Sequence, residues 1–143
     1  MLNAMFFYRI SRWCYLHHIP VVPKLITLLI FLIYNSKVPY QAKIGCGTKF
    51  GYGGIGVVIH SESIIGDNCS IGQQVTVGGN SRYPGVPVIG DNVHIHKGAI
   101  VFGGITIGNN VAIGANAVVN RPVPDNAVVA GVPAKVLRIK DVE

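Results

Sequence analysis

Aliphatic side chains recur at every sixth residue through most of this chain, and no other feature restricts its fold as strongly. Ile59, Ile65, Ile71 and Val77 are six apart, and Ile89, Ile95, Val101, Ile107, Ile113 and Val119 resume the spacing after a gap of twelve. Ile44 and Phe50 extend the series upstream, with three extra residues before Ile59. Two positions before each aliphatic stands a small or β-branched residue, such as Ser63, Cys69, Val75 or Ala99, and the residue after it is often Gly, as at Gly66, Gly72 and Gly90. A period of six drifts around a helix of 3.6 residues per turn, and the Gly and Val content opposes helix formation. Each hexad reads instead as a short strand and a turn, with the aliphatic inward, the small residue beside it and Gly easing the turn. One coil cannot bury its own inner face, so coils must stack. The spacing predicts a parallel β-helix from about Ile44 to about Pro124.

The chain divides sharply. All 18 Gly fall after residue 44. Residues 1–40 form an apolar helical N-terminal segment, and residues 41–143 form the repeat domain with a C-terminal tail. Within the first part, Asn3 to His18 has Phe6, Ile10, Trp13 and Cys14 at helical spacing. Pro20 and Pro23 break that helix, and a second starts near Pro23 and runs through Leu25 to Tyr34. The second helix is apolar all round but spans only ~15 Å, about half of a bilayer core of ~30 Å. Two readings stand. It is buried against the repeat domain or a neighbouring subunit, or residues 19–34 make a peripheral membrane contact helped by Arg9, Arg12, Lys24 and Lys37.

Only 13% of residues are charged, which fits a surface partly buried against other subunits or a membrane. The net charge of +6 favours anionic ligands. No basic stripe interleaved with aromatics and no zinc or helix-turn-helix spacing points to nucleic acid, so a polyphosphorylated cofactor is the better match. Cys14, Cys46 and Cys69 are odd in number and widely spaced, as expected of reduced thiols. With no signal-peptide pattern, the expected location is cytoplasmic, peripheral to the inner membrane face if the helices touch lipid.

The run GVVIHSESIIGDNCSIGQQVTVGG, followed by VPVIGDNV, IGANAVV and AGVPAKV, resembles the serine acetyltransferase-like branch of the hexapeptide-repeat acyltransferases. The likeness covers roughly Ile44 to Arg138. It implies a mainly β fold, a left-handed parallel β-helix with three hexads per coil, preceded here by a short α-helical N-terminal segment. It also implies a homotrimer with active sites between subunits and acetyl-CoA as cosubstrate, with no metal required. The large helical domain of full-length serine acetyltransferases is replaced by some 40 residues. Short relatives of this kind often acetylate sugars of surface polysaccharides.

Acetyl transfer from a thioester to a hydroxyl needs a base near neutrality, usually His, an N–H for the oxyanion and cations for the nucleotide phosphates. The resemblance implies His just before the GVVI segment, where this chain has Tyr52, and in the loop after VTVGG, which runs from Asn80 to Pro87 without His. His60, His94 and His96 remain in the repeat. With eighteen residues per coil, His60 and His96 are expected in one column with Gly78 between them, about 10 Å apart and too distant to share a metal. That column borders the Gly78–Val88 excursion, where the family places the acceptor. His60 is thus the candidate base, against the plainer reading of a solvated corner His. Tyr52 is a candidate for orienting the acceptor hydroxyl, against simple packing on Gly53 and Gly54. By resemblance the pantetheine arm meets Lys97, Ala115 and Asn120, and the phosphates meet Arg121, Lys135 and Arg138. Ordinary surface charge is the alternative for the basic residues. Gly103 and Gly104 offer close approach to the cofactor or a plain turn, and Cys69 faces the core. The expected activity is acetyl-CoA-dependent O-acetylation of a sugar or of serine. The alternatives are a non-catalytic trimeric scaffold on the same fold, or a carbonic-anhydrase-like metal site, which needs three converging His.

Overall fold

In the computed structural model, which describes residues 2–82 and 84–141, two helices precede a stack of parallel coils with a triangular cross-section. The first face stacks Lys43–Ile44, Ile64–Ile65, Val88–Ile89 and Thr106–Ile107. The second stacks Lys49–Phe50, Ser70–Ile71, His94–Ile95, Ala112–Ile113 and Ala127–Gly131, and Ala134–Ile139 closes it as an antiparallel hairpin strand. The third stacks Val58–Ile59, Thr76–Gly78, Ile100–Phe102 and Val118–Val119. Every aliphatic of the sixfold series is buried, as are the small residues two positions before them. The expected β-helix is therefore present, and helices occupy Ala4–Leu16 (α1) and Val22–Tyr34 (α2).

Two expectations need correction. The first concerns register. The twelve residues from Val77 to Ile89 read as two hexads, yet they make only one corner: Val77 is on the third face and Ile89 on the first, and residues 79–82 and 84–86 leave the coil. Ile71 and Ile95 are consequently partners 24 residues apart, not 18. His96 therefore lies after the second face and His60 after the third, so the predicted His60–His96 column does not exist.

The second correction concerns the turns. Gly66 and Gly90 were expected to relieve turn geometry, but the left-handed φ values at that corner fall two residues later, at Gly47 (76°) in the first coil and then at Asn68, Asn92, Asn110 and Asn126, at 56°, 57°, 57° and 65°. Asn tolerates this region because its short side chain bonds locally. The glycines answer to stacking instead. A Cβ on Gly66 would sit 2.3 Å from the Asp91 Oδ1 of the next coil, and one on Gly90 would sit 2.3 Å from the Asn109 Oδ1. Those oxygens are held in a ladder along the corner: Asp67 accepts from the Cys46 N–H, Asp91 from Asp67, Asn109 from Asp91 and Asp125 from Asn109, at 2.7–2.9 Å.

The helices finish the open end of the stack. In the first coil, every second peptide points away from the second coil and has no neighbouring strand. Side chains of α1 replace that strand. The buried Tyr8 hydroxyl donates to the Ala42 carbonyl and accepts from the Ile44 N–H. Arg9 donates to the Ile44 and Gly45 carbonyls, Arg12 to those of Tyr40 and Gln41, and the Asn3 amide to that of Phe50. Burial raises the Tyr8 pKa, opposed by Arg12, so the hydroxyl keeps the proton it must donate. On the third face, the Ser36 hydroxyl does the same between Gly54 and Val57. Ala4, Met5, Tyr8, Ser11 and Cys14 form the buried side of α1, while Phe6, Ile10 and Trp13 turn outward. Tyr8→Phe strips partners from two buried peptide groups and is expected to lower unfolding stability by about 1–3 kcal/mol, measurable as a reduced urea midpoint with an unchanged slope.

Candidate functional site

Chemistry-bearing side chains gather at two of the three corners of the coil. At the third-to-first corner, an excursion whose described residues are 79–82 and 84–86 leaves the stack and makes a cleft on either side of itself. The cleft toward the first coil, about 410 Å³, is lined by His60, Glu62, Asn80, Ser81 and Val86. The one toward later coils, also about 410 Å³, is lined by Asn80, Arg82, Pro84, Phe102, Gly103 and Asn120. Asn80 borders both, and its side-chain oxygen accepts the Arg82 N–H at 2.9 Å, turning the loop back on itself.

The excursion is seated by a close backbone approach. A Cβ on Gly104 would lie 2.5 Å from the Pro84 carbonyl oxygen, and one on Gly85 would lie 3.0 Å from the Gly104 Cα. Gly104, for which close approach to the cofactor and a plain turn both stood open, admits the loop and also lines the later cleft.

His60 is half-buried at the base of its cleft, its ring against the Gly79 backbone. The Glu62 N–H donates to His60 Nδ1 at 3.1 Å. That bond makes Nδ1 the unprotonated atom of the neutral ring and leaves the proton on Nε2. A proton taken up by His60 therefore goes to Nδ1, whose lone pair the Glu62 N–H occupies here. His94 and His96 are exposed on the second-face side and do not approach His60.

At the second-to-third corner, a cleft of about 520 Å³ is lined by Tyr52, Ser70, Gln73, His96, Lys97 and Ala115. Tyr52 is 68% exposed and does not pack down on Gly53 and Gly54 as the plainer reading had it. It sits at φ 50° inside the 3-10 turn Gly51–Gly54, which absorbs the three extra residues before Ile59. A bulky residue in the left-handed region is a conformational outlier, and such strain concentrates at functional positions.

The residues singled out for cofactor contact are thus dispersed within one chain. Lys97 and Ala115 share the Tyr52 cleft, while Asn120 lies in the Arg82 cleft. Arg121 and Lys135 line a smaller hollow of about 240 Å³ beneath the C-terminal hairpin, and Arg138 is exposed on that hairpin outside these clefts. Glu62, Asn80, Ser81, Arg82 and Gln73 were not anticipated. For Asn80 to Arg82 the available signal was position, since they lie in the segment where the spacing lapses. Cys69 is buried with a raised pKa, chiefly from burial, as suits a core thiol. Among the described residues, no cluster of three His, Cys, Asp or Glu is close enough to share a metal ion.

Residues 87–121 match the family described as bacterial transferase hexapeptide (six repeats). The chain is 39% identical over 137 residues to a serine acetyltransferase of Synechococcus elongatus, covering 94% of this chain and 56% of that protein. It is 37% identical over 139 residues to one from Staphylococcus epidermidis, covering 96% and 65%. Among solved structures, a serine acetyltransferase of Brucella abortus in complex with coenzyme A superposes with a TM-score of 0.90 at 29% identity, covering 98% of this chain and 56% of the other. A serine acetyltransferase in complex with cysteine superposes with a TM-score of 0.87 at 33% identity, covering 96% and 54%. The chain therefore spans little more than half to two-thirds of the length of these relatives.

Gly104→Ala is expected to lift the excursion while leaving the stack intact. Trypsin should cut at Arg82 faster, by about tenfold, with a small loss of thermal stability of roughly 1–3 kcal/mol.

Proposed function

This chain belongs to the hexapeptide-repeat acyltransferases, in their serine acetyltransferase-like branch, and from that premise we propose that it is an O-acetyltransferase moving the acetyl group of acetyl-CoA to a hydroxyl on a small acceptor. The observation that carries the reading is His60, set at the base of the excursion cleft with Nδ1 fixed as its proton-accepting atom. When bound, acetyl-CoA supplies the activated thioester carbonyl. His60 takes the acceptor's hydroxyl proton at Nδ1 as the new C–O bond forms, and hands it to the sulfur as the C–S bond breaks. The acceptor hydroxyl takes the place of the Glu62 N–H at that atom.

The residues present suit a phosphate-bearing thiol carrier. Lys97 stands exposed on the Tyr52 cleft, and Arg121 and Lys135 line the hollow beside the terminal hairpin. Within a single chain the Tyr52 and His60 clefts occupy different corners. This dispersal supports a homotrimer in which the His60 corner of one protomer completes the Tyr52 corner of its partner. Sedimentation equilibrium should return three chains per particle.

Serine is the acceptor suggested by the relatives' names. A second reading, a sugar hydroxyl, is favoured by the cleft itself. Among the described residues lining it within one protomer, Glu62 is the only charged side chain and no cation is placed to meet an amino acid's carboxylate. Free-thiol release from acetyl-CoA, followed with serine and with a panel of monosaccharides, separates the two. His60→Ala is expected to lower kcat by about 10²–10⁴-fold while leaving the KM for acetyl-CoA within about twofold. Coenzyme binding by the unaltered chain with no turnover on any acceptor would favour the scaffold reading instead.

A further inference from the structure

The whole net charge of this chain resides in its first 61 residues. They contain six Lys and Arg and no Asp or Glu, whereas residues 62–143 contain six of each sign. The fold then concentrates that charge. Lys37, Lys43 and Lys49 are six apart, so the first coil places one on each face: Lys37 bridges to Val58 on the third, Lys43 pairs on the first and Lys49 on the second. All three are exposed, forming a basic ring around the end of the stack that α1 covers.

Above that ring the surface is largely apolar, with Lys24, His17 and His18 its exposed basic side chains. α2 buries only Pro23, Ile30 and Tyr34. Leu25, Leu28, Phe31, Leu32 and Ile33 are each more than half exposed, at 52–68%. On α1, Phe6, Trp13 and Leu16 are likewise 55–56% exposed. An apolar surface this extensive marks an interaction site. No helix among the described residues is long and apolar enough to cross a membrane. A helix of this length, about 20 Å, is short of a hydrocarbon core of about 30 Å but long enough to lie in its interface.

We infer that the α1–α2 cap docks on an anionic phospholipid bilayer, with its outer apolar side chains in the headgroup–acyl boundary and the Lys37, Lys43 and Lys49 ring facing the lipid charge. The occupant follows from complementarity. A second copy of the chain would bring an identical, purely basic rim against this one, whereas an anionic surface matches it. A cap one helix thick would set the ring about 10 Å from the lipid. That is close to the Debye length of about 8 Å at physiological ionic strength, so the lysines remain within reach of the surface potential. The inference requires no turnover and stands apart from the acetyl-transfer reading.

The test is co-sedimentation of the full chain with vesicles of phosphatidylcholine alone or with 30% phosphatidylglycerol, about the anionic content that gives an appreciable surface potential. The sole tryptophan, Trp13, reports insertion. Binding at least about tenfold tighter to the anionic vesicles is expected, with a blue shift of Trp13 emission and loss in high salt. Charge reversal at all three lysines, K37E, K43E and K49E, should abolish the preference for anionic lipid. L28S with L32S should weaken binding and the emission shift, and circular dichroism checks that these exposed positions leave the fold intact. Equal binding to both vesicles, or none to either, would overturn the inference. So would a fall in particle mass on L28S and L32S without lipid, which would assign the apolar face to another copy of the chain.

Discussion

Everything in this molecule depends on peptide groups that can be satisfied only by the coil above or below. A strand of two or three residues has no stability by itself, and most strands here are that short. They persist because each ladder repeats coil upon coil, burying one aliphatic per side of the triangle and pairing the peptides between them. The same requirement makes the ends costly. At one end the antiparallel hairpin of Ala127–Gly131 and Ala134–Ile139 extends the second face. At the other, Tyr8, Arg9, Arg12 and Asn3 supply the donors, and in the case of Tyr8 also the acceptor, of an absent strand. The helical segment is thus part of the ladder's chemistry and not an appendage to it.

Corners are where such a stack can vary without breaking the ladder. Two of them differ here, and both carry functional candidates. The turn at Gly51–Gly54 exposes Tyr52 beside Lys97, and the excursion that begins at Gly79 borders His60. The remaining corner is uniform, locked by the Asp67–Asp91–Asn109–Asp125 ladder. Rigidity at that corner and adjacent coils fixed in register let the other two hold side chains at defined positions, as a transfer site requires. The Glu62 N–H on His60 shows how local that control is, since a single backbone bond decides which ring nitrogen carries the proton.

Architecture was the most legible property because burial has a period. Ile59 through Val119 report the inner wall directly, and a side chain that must be buried at every turn leaves a mark that local propensity does not obscure. The site was less legible, and the error can be traced. Gly-Asp-Asn occurs at 66–68 and again at 90–92, with Gly-Asn-Asn at 108–110. Those tripeptides mark one corner, and their separations of 24 and 18 residues show that the second coil carries six extra residues. Counting aliphatics alone treated the extra length as another hexad, which moved His96 to the wrong face.

From the amino-acid order alone came the coiled fold, its inner wall, the two helices, the family likeness and His60 as a singular residue, because periodic burial and residue identity are properties of the chain. Tertiary structure decided which corner each candidate occupies and that Gly104 seats a loop. It also decided that the outer sides of α1 and α2 are bare above a ring of lysines. Those facts depend on where the chain departs from its period and on what one coil presents to the next. Neither quantity is carried by any single hexad.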